Sequence, residues 1–256
     1  MITSMNILQT IVLSFIEGIT EFLPVSSTGH LILASKLLGI PATDFTKSFE
    51  IFIQLGAIMA VAFMYWRTIL TNRKLWMPLG IAFLPTAVVG FTLYPMIKGY
   101  LLENTMITTI SLFAGGLILI GFERFHLEQS KQLTWQRALV IGVFQSVSVI
   151  PGVSRAAATI VGGMVMGLSR KEAVEFSFLL AVPTMAAATG LDLVKNAGSF
   201  SQSNISMLLI GFVVSWCTAY LSVKAFLSFV KTNSFTVFGV YRVVLALIFF
   251  LTAGVS

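Results

Sequence analysis

Two short polar segments interrupt a chain that is otherwise strongly apolar. Residues 17–30 read EGITEFLPVSSTGH and carry two carboxylates, four hydroxyls and an imidazole. Residues 151–159 read PGVSRAAAT and add a guanidinium and two more hydroxyls. Ionisable groups are costly at membrane depth, so in an apolar chain they indicate a functional site. This set of side chains suits chemistry on a phosphate, whose oxygens guanidinium groups bind well.

Glu17 and Glu21 are four residues apart and therefore share one face of a helix. Two adjacent carboxylates repel each other unless a cation or a proton lies between them. One interpretation is a site for Mg²⁺ or Ca²⁺, since both ions prefer oxygen ligands. A proton relay is another, and a third is a helix end at which both acids are solvated.

The loop after Pro24 provides three hydroxyl side chains and an imidazole, from Ser26, Ser27, Thr28 and His30. Backbone amides at the start of a helix favour anions. A hydroxyl becomes a nucleophile when a base such as histidine takes its proton. The same residues could instead cap a helix, with His30 merely packed.

In the second segment, Ser154 and Arg155 follow a Pro-Gly pair. The guanidinium keeps its charge and presents a planar fork that matches phosphate oxygens. Gly152 permits close approach of the backbone. The alternative is structural: Arg155 would pair with Glu17 or Glu21, because buried ions need partners.

Composition indicates a membrane protein with a single domain, residues 1–256. The chain is 57% hydrophobic and only 10% charged, whereas soluble domains carry about 25% charged residues. The apolar segments are long and do not alternate, which favours helices over a barrel. The net charge of +6 comes from short loops without a basic run, so no nucleic-acid partner is predicted. The predicted partners are membrane lipids.

Six apolar runs have the length of a spanning helix, and four shorter pieces occur in two pairs. Each pair meets at a proline, Pro24 or Pro151, which interrupts the helical backbone. We therefore predict two re-entrant helical hairpins besides six transmembrane helices. The six runs are residues 46–66, 77–98, 105–122, 173–194, 205–224 and 236–254.

The two halves of the chain repeat. A shift of 128 residues aligns Glu17 with Gln145 and Ser26 with Ser154, and also aligns Gly39 with Gly167. Each half holds one hairpin and three spans, an odd number, so the halves insert with opposite orientation. The predicted fold is an all-α polytopic membrane protein in which residues 1–125 and 126–256 form an inverted repeat.

The positive charges are unevenly distributed in this arrangement. Ten of the 16 Lys and Arg residues fall on one side, four fall on the other, and Arg155 and Arg242 lie within the membrane. The positive-inside rule makes the ten-charge side cytoplasmic. The mouth of the first hairpin then faces outward. Arg242, which follows Tyr241 in the last span, is predicted to hydrogen-bond a helix end.

The order and spacing of these motifs resemble the undecaprenyl pyrophosphate phosphatase family, also known as the bacitracin-resistance proteins. The resemblance runs through residues 17–30, 151–159, FEIFIQLGA at 49–57 and EFSFLLAVP at 175–183. It implies an enzyme of the bacterial inner membrane that removes the terminal phosphate of a C55 prenyl diphosphate. Ala156 stands where many members have serine, which removes one potential hydroxyl contact.

The resemblance also implies roles for individual residues. Glu17 and Glu21 would bind a divalent metal, Ser154 and Arg155 would bind phosphate, and the site would face outward. Ser26 and Thr28 would assist in binding phosphate.

Physical reasoning and resemblance together lead to the hypothesis that Ser27 attacks the terminal phosphorus with help from His30, Glu21 and Arg155. Attack by His30 itself or by water is the alternative. A transporter of a lipid or anion is the other class considered, since inverted repeats and broken helices also suit alternating access. A structural membrane protein would leave the polar segments unexplained. The partner is a prenyl diphosphate lipid, and a homodimer is left open.

Overall fold

The computed structural model describes residues 5–102, 104–125, 130–195 and 205–253, and every regular element in these ranges is helical. The predicted all-helical fold is therefore confirmed for these residues. Short helical turns at 73–75, 97–101 and 147–149 supplement eleven α-helices. The α-helices are α1 Ile7–Thr20, α2 Ser27–Leu37, α3 Asp44–Thr71, α4 Trp76–Thr92, α5 Tyr94–Met96, α6 Thr105–Phe125, α7 Trp135–Ser146, α8 Arg155–Val165, α9 Arg170–Lys195, α10 Ile205–Phe229 and α11 Thr236–Ala253.

Five of the described helical segments are long and apolar enough to cross a membrane. They contain α3, α4, α6, α9 and α10, and they correspond to the first five predicted spans. The sixth predicted span, residues 236–254, is the 18-residue helix α11. It is apolar but shorter than the other five, so a sixth crossing stays a prediction.

Both prolines of the polar segments lie between short helices, as predicted. Pro24 separates α1 from α2, and Pro151 separates α7 from α8. The second helix of each pair has a serine N-cap: the Ser26 hydroxyl accepts from the Gly29 amide, and the Ser154 hydroxyl accepts from the Ala157 amide. Such caps satisfy backbone donors that a helix start leaves unpaired. The chain can therefore start a new helix inside an apolar environment.

The helix boundaries recur at the spacing of the sequence repeat. Helices α1 and α7 begin at residues 7 and 135, and α2 and α8 span 27–37 and 155–165, a constant difference of 128. Gly39 and Gly167, also 128 apart, follow the two second helices with φ of 63° and 88°. Left-handed backbone after a helix favours glycine. The repeat is thus present in the local backbone as well as in residue types.

The two halves interlock through helix pairs that cross between them. Helix α1 packs against α10, and α7 packs against α4. Glycines allow the close approach: a Cβ on Gly18 would lie 2.6 Å from the Ser215 carbonyl oxygen, and one on Gly142 would lie 2.3 Å from that of Ala82. Helices α3 and α9 also contact each other, as do α6 and α11. This packing brings polar residues of both broken segments together.

Candidate active site

Glu21, Ser27 and Arg155 form one hydrogen-bonded cluster. The Ser27 hydroxyl donates to Oε2 of Glu21 at 2.5 Å, and Nη2 of Arg155 donates to Oε1 of Glu21 at 3.0 Å. The side chains of Arg155 and Glu21 are only 11% and 6% exposed. The structural alternative, an ion pair between Arg155 and Glu21, is therefore present. It also brings the predicted nucleophile to the same carboxylate.

The other two nitrogen atoms of the Arg155 guanidinium differ in their hydrogen bonding, since Nη1 has a partner and Nε has none. Nη1 donates to the carbonyl oxygen of Ser177 at 2.8 Å and to its hydroxyl at 3.2 Å. Nε is buried and has no hydrogen-bond partner among the described residues. A buried donor without an acceptor costs about 1–3 kcal/mol. An anion bound beside Arg155 would remove that cost.

The cluster opens on a small polar cavity of about 180 Å³. Six of the predicted site residues line it: Glu21, Ser26, Ser27, Thr28, Ser154 and Arg155. A larger, mainly apolar cavity of about 710 Å³ lies beside it, between α4 and α9. Thr28, Gln54, Ser148, Val149 and Ala188 line both. A polar cavity adjoining an apolar one suits an amphiphile that has an anionic head.

Both short helices that follow the prolines begin at the polar cavity. Ser27 is the first residue of α2 and Arg155 is the first residue of α8. The free N–H groups and the dipole at a helix start favour anions. Their caps, Ser26 and Ser154, have φ of 71° and 74°. A non-glycine residue held in that region costs about 1–3 kcal/mol and persists only where its surroundings enforce it.

The described structure shows no hydrogen bond between His30 and Ser27. Its Nδ1 lies 2.8 Å from the Ser26 carbonyl oxygen and its Nε2 lies 2.7 Å from the Tyr241 hydroxyl. A carbonyl oxygen only accepts, so Nδ1 donates to it, and in the neutral imidazole Nε2 then accepts from Tyr241. The predicted Ser27–His30 pair is therefore absent from the observed contacts. Glu21 occupies the position beside Ser27 in which a general base was expected.

Glu17 is completely buried, and neither of its carboxylate oxygens has a hydrogen-bond partner in the described part of the chain. Three ionisable side chains interact electrostatically with the Glu17 carboxyl group: Glu21, Glu50 and Arg155. No group of three or more His, Cys, Asp or Glu side chains forms a metal site among the described residues. Two unpartnered oxygens beside a second carboxylate nevertheless fit a cation whose remaining ligands come from the substrate.

The equivalent residue of the second repeat shows the contrast. Gln145, 128 residues after Glu17, is buried and makes three hydrogen bonds to hydroxyl groups. It donates to Thr86 and Thr184 and accepts from Thr159. An amide satisfied by neutral groups needs no ion. Of this aligned pair, only Glu17 has side-chain oxygens without a hydrogen-bond partner among the described residues.

Two residues near the site, Ser177 and Tyr241, make contacts that were not predicted from the sequence, and a third, Arg242, makes more contacts than were predicted. Ser177 contacts Arg155, Tyr241 contacts His30, and Arg242 hydrogen-bonds carbonyl groups of both broken segments. Arg242 therefore reaches more than the single helix end that was predicted. The signal available in the sequence was the Tyr-Arg pair within an apolar run and the presence of Ser177 inside the 175–183 motif.

The chain is similar to known proteins over nearly its whole length. The family model described as bacitracin resistance protein BacA matches residues 10–248. An undecaprenyl-diphosphatase of Aquifex aeolicus is 50% identical over 246 residues, which cover 94% of this chain and 96% of the relative. One from Persephonella marina is 50% identical over 253 residues, covering 96% and 99%. One from Thermus thermophilus is 45% identical over 248 residues, covering 94% and 95%. The chain therefore belongs to the bacitracin resistance protein BacA family.

Proposed function

We propose that this protein hydrolyses undecaprenyl diphosphate to undecaprenyl phosphate and inorganic phosphate. The observation that carries the proposal is the Ser27–Glu21–Arg155 cluster in a polar cavity that adjoins an apolar one. The names of the similar proteins agree with it. The reaction would return the lipid carrier to cell-wall synthesis and confer resistance to bacitracin.

In the first step, the Ser27 oxygen attacks the terminal phosphorus while its proton passes to Glu21. The bond between that phosphorus and the bridging oxygen breaks, and undecaprenyl phosphate leaves with the bonding electrons. A phosphoserine remains. Water then attacks the same phosphorus, the bond between that phosphorus and the Ser27 oxygen breaks, and Glu21 returns its proton to the Ser27 oxygen. The released phosphate carries the oxygen and protons of the water. A positioned general base contributes about 10²–10⁴-fold to such a step.

Arg155 and the starts of α2 and α8 neutralise the diphosphate. Charge stabilisation and positioning are the main tasks of a protein in phosphoryl transfer. The unpartnered Nε of Arg155 and the first-turn amides of both helices supply donors for the phosphate oxygens. Ser26 and Ser154 cap these helices, and Thr28 lines the cavity. Their proposed role is to shape the phosphate site.

A divalent cation, Mg²⁺ or Ca²⁺, would be held by Glu17 and Glu21. When bound, it would supply further positive charge to the diphosphate. Magnesium is commonly bound through one or two carboxylates together with substrate phosphates. Glu17 would be the stronger ligand of the two, because its oxygens have no hydrogen-bond partner among the described residues, whereas the Glu21 oxygens already accept two hydrogen bonds.

The apolar cavity between α4 and α9 would hold the start of the prenyl chain, whose remainder would extend among membrane lipids. We further propose six transmembrane helices and two re-entrant hairpins, with residues 1–125 and 126–256 inserted in opposite orientations. The repeated helix bounds and the interlocked pairs α1–α10 and α7–α4 support this arrangement. The site would then face the outside of the bacterial inner membrane.

Phosphate release from the purified protein in detergent tests the proposed function. We expect wild-type protein with Mg²⁺ to release one phosphate for each C55 diphosphate consumed, and Ser27→Ala, purified identically, to release almost none. Wild-type protein that binds the lipid without releasing phosphate would contradict the proposal and favour a transporter.

A further inference from the structure

Arg242 is a fully buried arginine that hydrogen-bonds only main-chain carbonyl groups in the described structure. A guanidinium has five N–H donors, and five carbonyl oxygens surround this one. The acceptors are Leu112 at 3.4 Å from Nε, Pro24 at 3.2 Å and Val153 at 3.0 Å from Nη1, and Ser111 at 3.3 Å and Gly152 at 2.8 Å from Nη2.

These carbonyl groups belong to three separate parts of the chain. Pro24 lies in the turn between α1 and α2, and Gly152 and Val153 lie in the turn between α7 and α8. Ser111 and Leu112 lie within α6, so their carbonyl oxygens face Arg242 from a helix that packs against α11. One side chain therefore joins the broken segments of both repeats.

Both turns lead directly into the strained caps. Val153 precedes Ser154, and Pro24 is two residues before Ser26, the two serines with positive φ. A trans peptide unit is planar, so fixing the Val153 carbonyl also fixes the direction of the Ser154 amide. Strained backbone persists only where its surroundings over-determine it, and Arg242 is bonded to the peptide groups at both places.

The surroundings of Arg242 are shaped to hold this side chain in one position. A Cβ on Gly115 of α6 would lie 2.0 Å from Nη2. Gly152, with φ of 92°, would place a Cβ 2.3 Å from the Thr108 carbonyl oxygen. Any side chain at residue 115 would displace the guanidinium while leaving its charge in the molecule.

We propose that Arg242 is a positioning residue for phosphoryl transfer, a role that rests on the proposed function. It holds the two turns at a fixed separation so that Ser27 at the start of α2 and Arg155 at the start of α8 face the same phosphate. Arg242 is not among the residues lining either cavity. Its contribution therefore lies in the placement of reacting groups, which appears in kcat, and leaves the apolar binding surface unchanged.

Two variants test this role in different ways. Arg242→Lys keeps the charge but has three donors in place of five. Gly115→Ala keeps Arg242 and displaces its guanidinium. We expect kcat for phosphate release to fall about 10²-fold in each, the loss that small misplacements of reacting groups produce. KM for the C55 diphosphate should change less than about threefold. The matched control is Gly121→Ala on the same helix, where an added Cβ meets nothing within 4 Å.

The measurements are kcat, KM and the thermal midpoint in detergent for all four proteins. A fall in kcat at unchanged KM, in variants whose midpoint stays within a few degrees of the wild type, supports the positioning role. A kcat equal to wild type in a folded Gly115→Ala protein overturns it, even if Arg242→Lys fails to fold. So does a rise in KM without a fall in kcat. A wild type that releases no phosphate refutes the proposed function itself, whereas an active wild type with active variants refutes only this inference.

Discussion

At the scale of single residues, Glu21 is the group that organises the site. One of its oxygens accepts from Ser27 and the other accepts from Arg155. The ion pair with Arg155 fixes the direction of the Glu21 carboxylate, because charge-assisted hydrogen bonds are strong and directional. A carboxylate held in that direction can take a proton from the serine hydroxyl during attack. We therefore propose Glu21, which was predicted to be catalytic together with His30, as the general base for Ser27.

Removing both partners of this step should cost little more than removing one. Ser27→Ala and Glu21→Gln are each expected to lower kcat by about 10²–10⁴-fold. The kcat of the double variant should lie within about tenfold of that of the less active single variant, since the effects of residues that act as one unit are not additive. Rates of phosphate release at saturating substrate give the comparison. Independent, multiplying losses would separate Glu21 from the attack by Ser27.

His30→Ala should lose less activity than Ser27→Ala, by about tenfold or more. His30 bonds the Ser26 carbonyl oxygen and the Tyr241 hydroxyl, so its removal loosens the cap without removing the proton acceptor. Tyr241→Phe should show a still smaller loss, since it deletes only one hydrogen bond of about 0.5–1.5 kcal/mol. Equal, near-complete inactivation by His30→Ala and Ser27→Ala would return the base or the nucleophile to His30. Rapid-quench trapping distinguishes the two, because a phosphohistidine is acid-labile and a phosphoserine is not.

Glu17→Gln tests the cation. The change keeps the size of the side chain and removes one anionic ligand, so the Mg²⁺ concentration for half-maximal activity should rise about tenfold or more, since even outer-shell changes at metal sites cost about 10–100-fold. Glu175→Gln is the matched control. The Glu175 side chain is 36% exposed, and its described ion pair is with Lys171, one turn away on the same helix. An unchanged Mg²⁺ titration for Glu17→Gln would favour a proton at this carboxyl.

The sequence predicted the types of these residues better than their partners. Ionisable residues in an apolar chain are predicted to form a site because burying them is costly. The structure buries Glu17 and Glu21 and pairs Glu21 with Arg155. Which base faces Ser27 depends on side-chain directions and on contacts from far along the chain. Tyr241, which hydrogen-bonds the His30 ring, lies 211 residues away, and no local sequence pattern predicts a contact over that separation.

At the scale of elements, prolines and caps could be interpreted from sequence, whereas close helix crossings could not. Pro24 and Pro151 ended helices where expected, and the serine caps began new ones. The predicted run at 77–98 extended past Thr92, where α4 ends and a three-residue helix and a π-helical turn follow. Hydropathy does not detect such breaks because Tyr94 to Leu101 remains mostly apolar.

Gly142→Ala should destabilise the crossing of α7 and α4. An added Cβ would lie 2.3 Å from the Ala82 carbonyl oxygen, and overpacking of this kind costs about 1–3 kcal/mol. Gly80→Ala on α4 is the control, since a Cβ there meets nothing within 4 Å. We expect the thermal midpoint in detergent to fall for Gly142→Ala and to stay equal or rise for Gly80→Ala. Equal midpoints in both variants would mean that α7 and α4 do not pack this closely.

At the scale of the whole molecule, two similar halves build one asymmetric site. Helices α2 and α8 both present a capped start to the polar cavity. Only the first half supplies carboxylates, because Gln145 replaces Glu17, and only the second supplies the arginine. Opposite charges from opposite halves therefore meet at the interface, which neither half could form alone. This explains why the site was predicted only when both segments were considered together.

The proposed inverted insertion makes the two hairpins accessible from opposite sides of the membrane. Single cysteines introduced at Ala42 and Lys195, in a Cys217→Ala background, should react with an impermeant maleimide in intact cells. Cysteines at Lys74 and Lys131 should react only after permeabilisation, because the basic loops are expected to be cytoplasmic. All four native side chains are exposed in the structure, so protein burial does not explain a failure to react.

Ala42 follows the first hairpin, whereas the Lys131 amide donates to the Gly167 carbonyl oxygen at the end of the second hairpin. The pair Ala42 and Lys131 therefore reports on the two hairpins directly. Labelling of both from outside would place the hairpins on one face and would refute the inverted repeat.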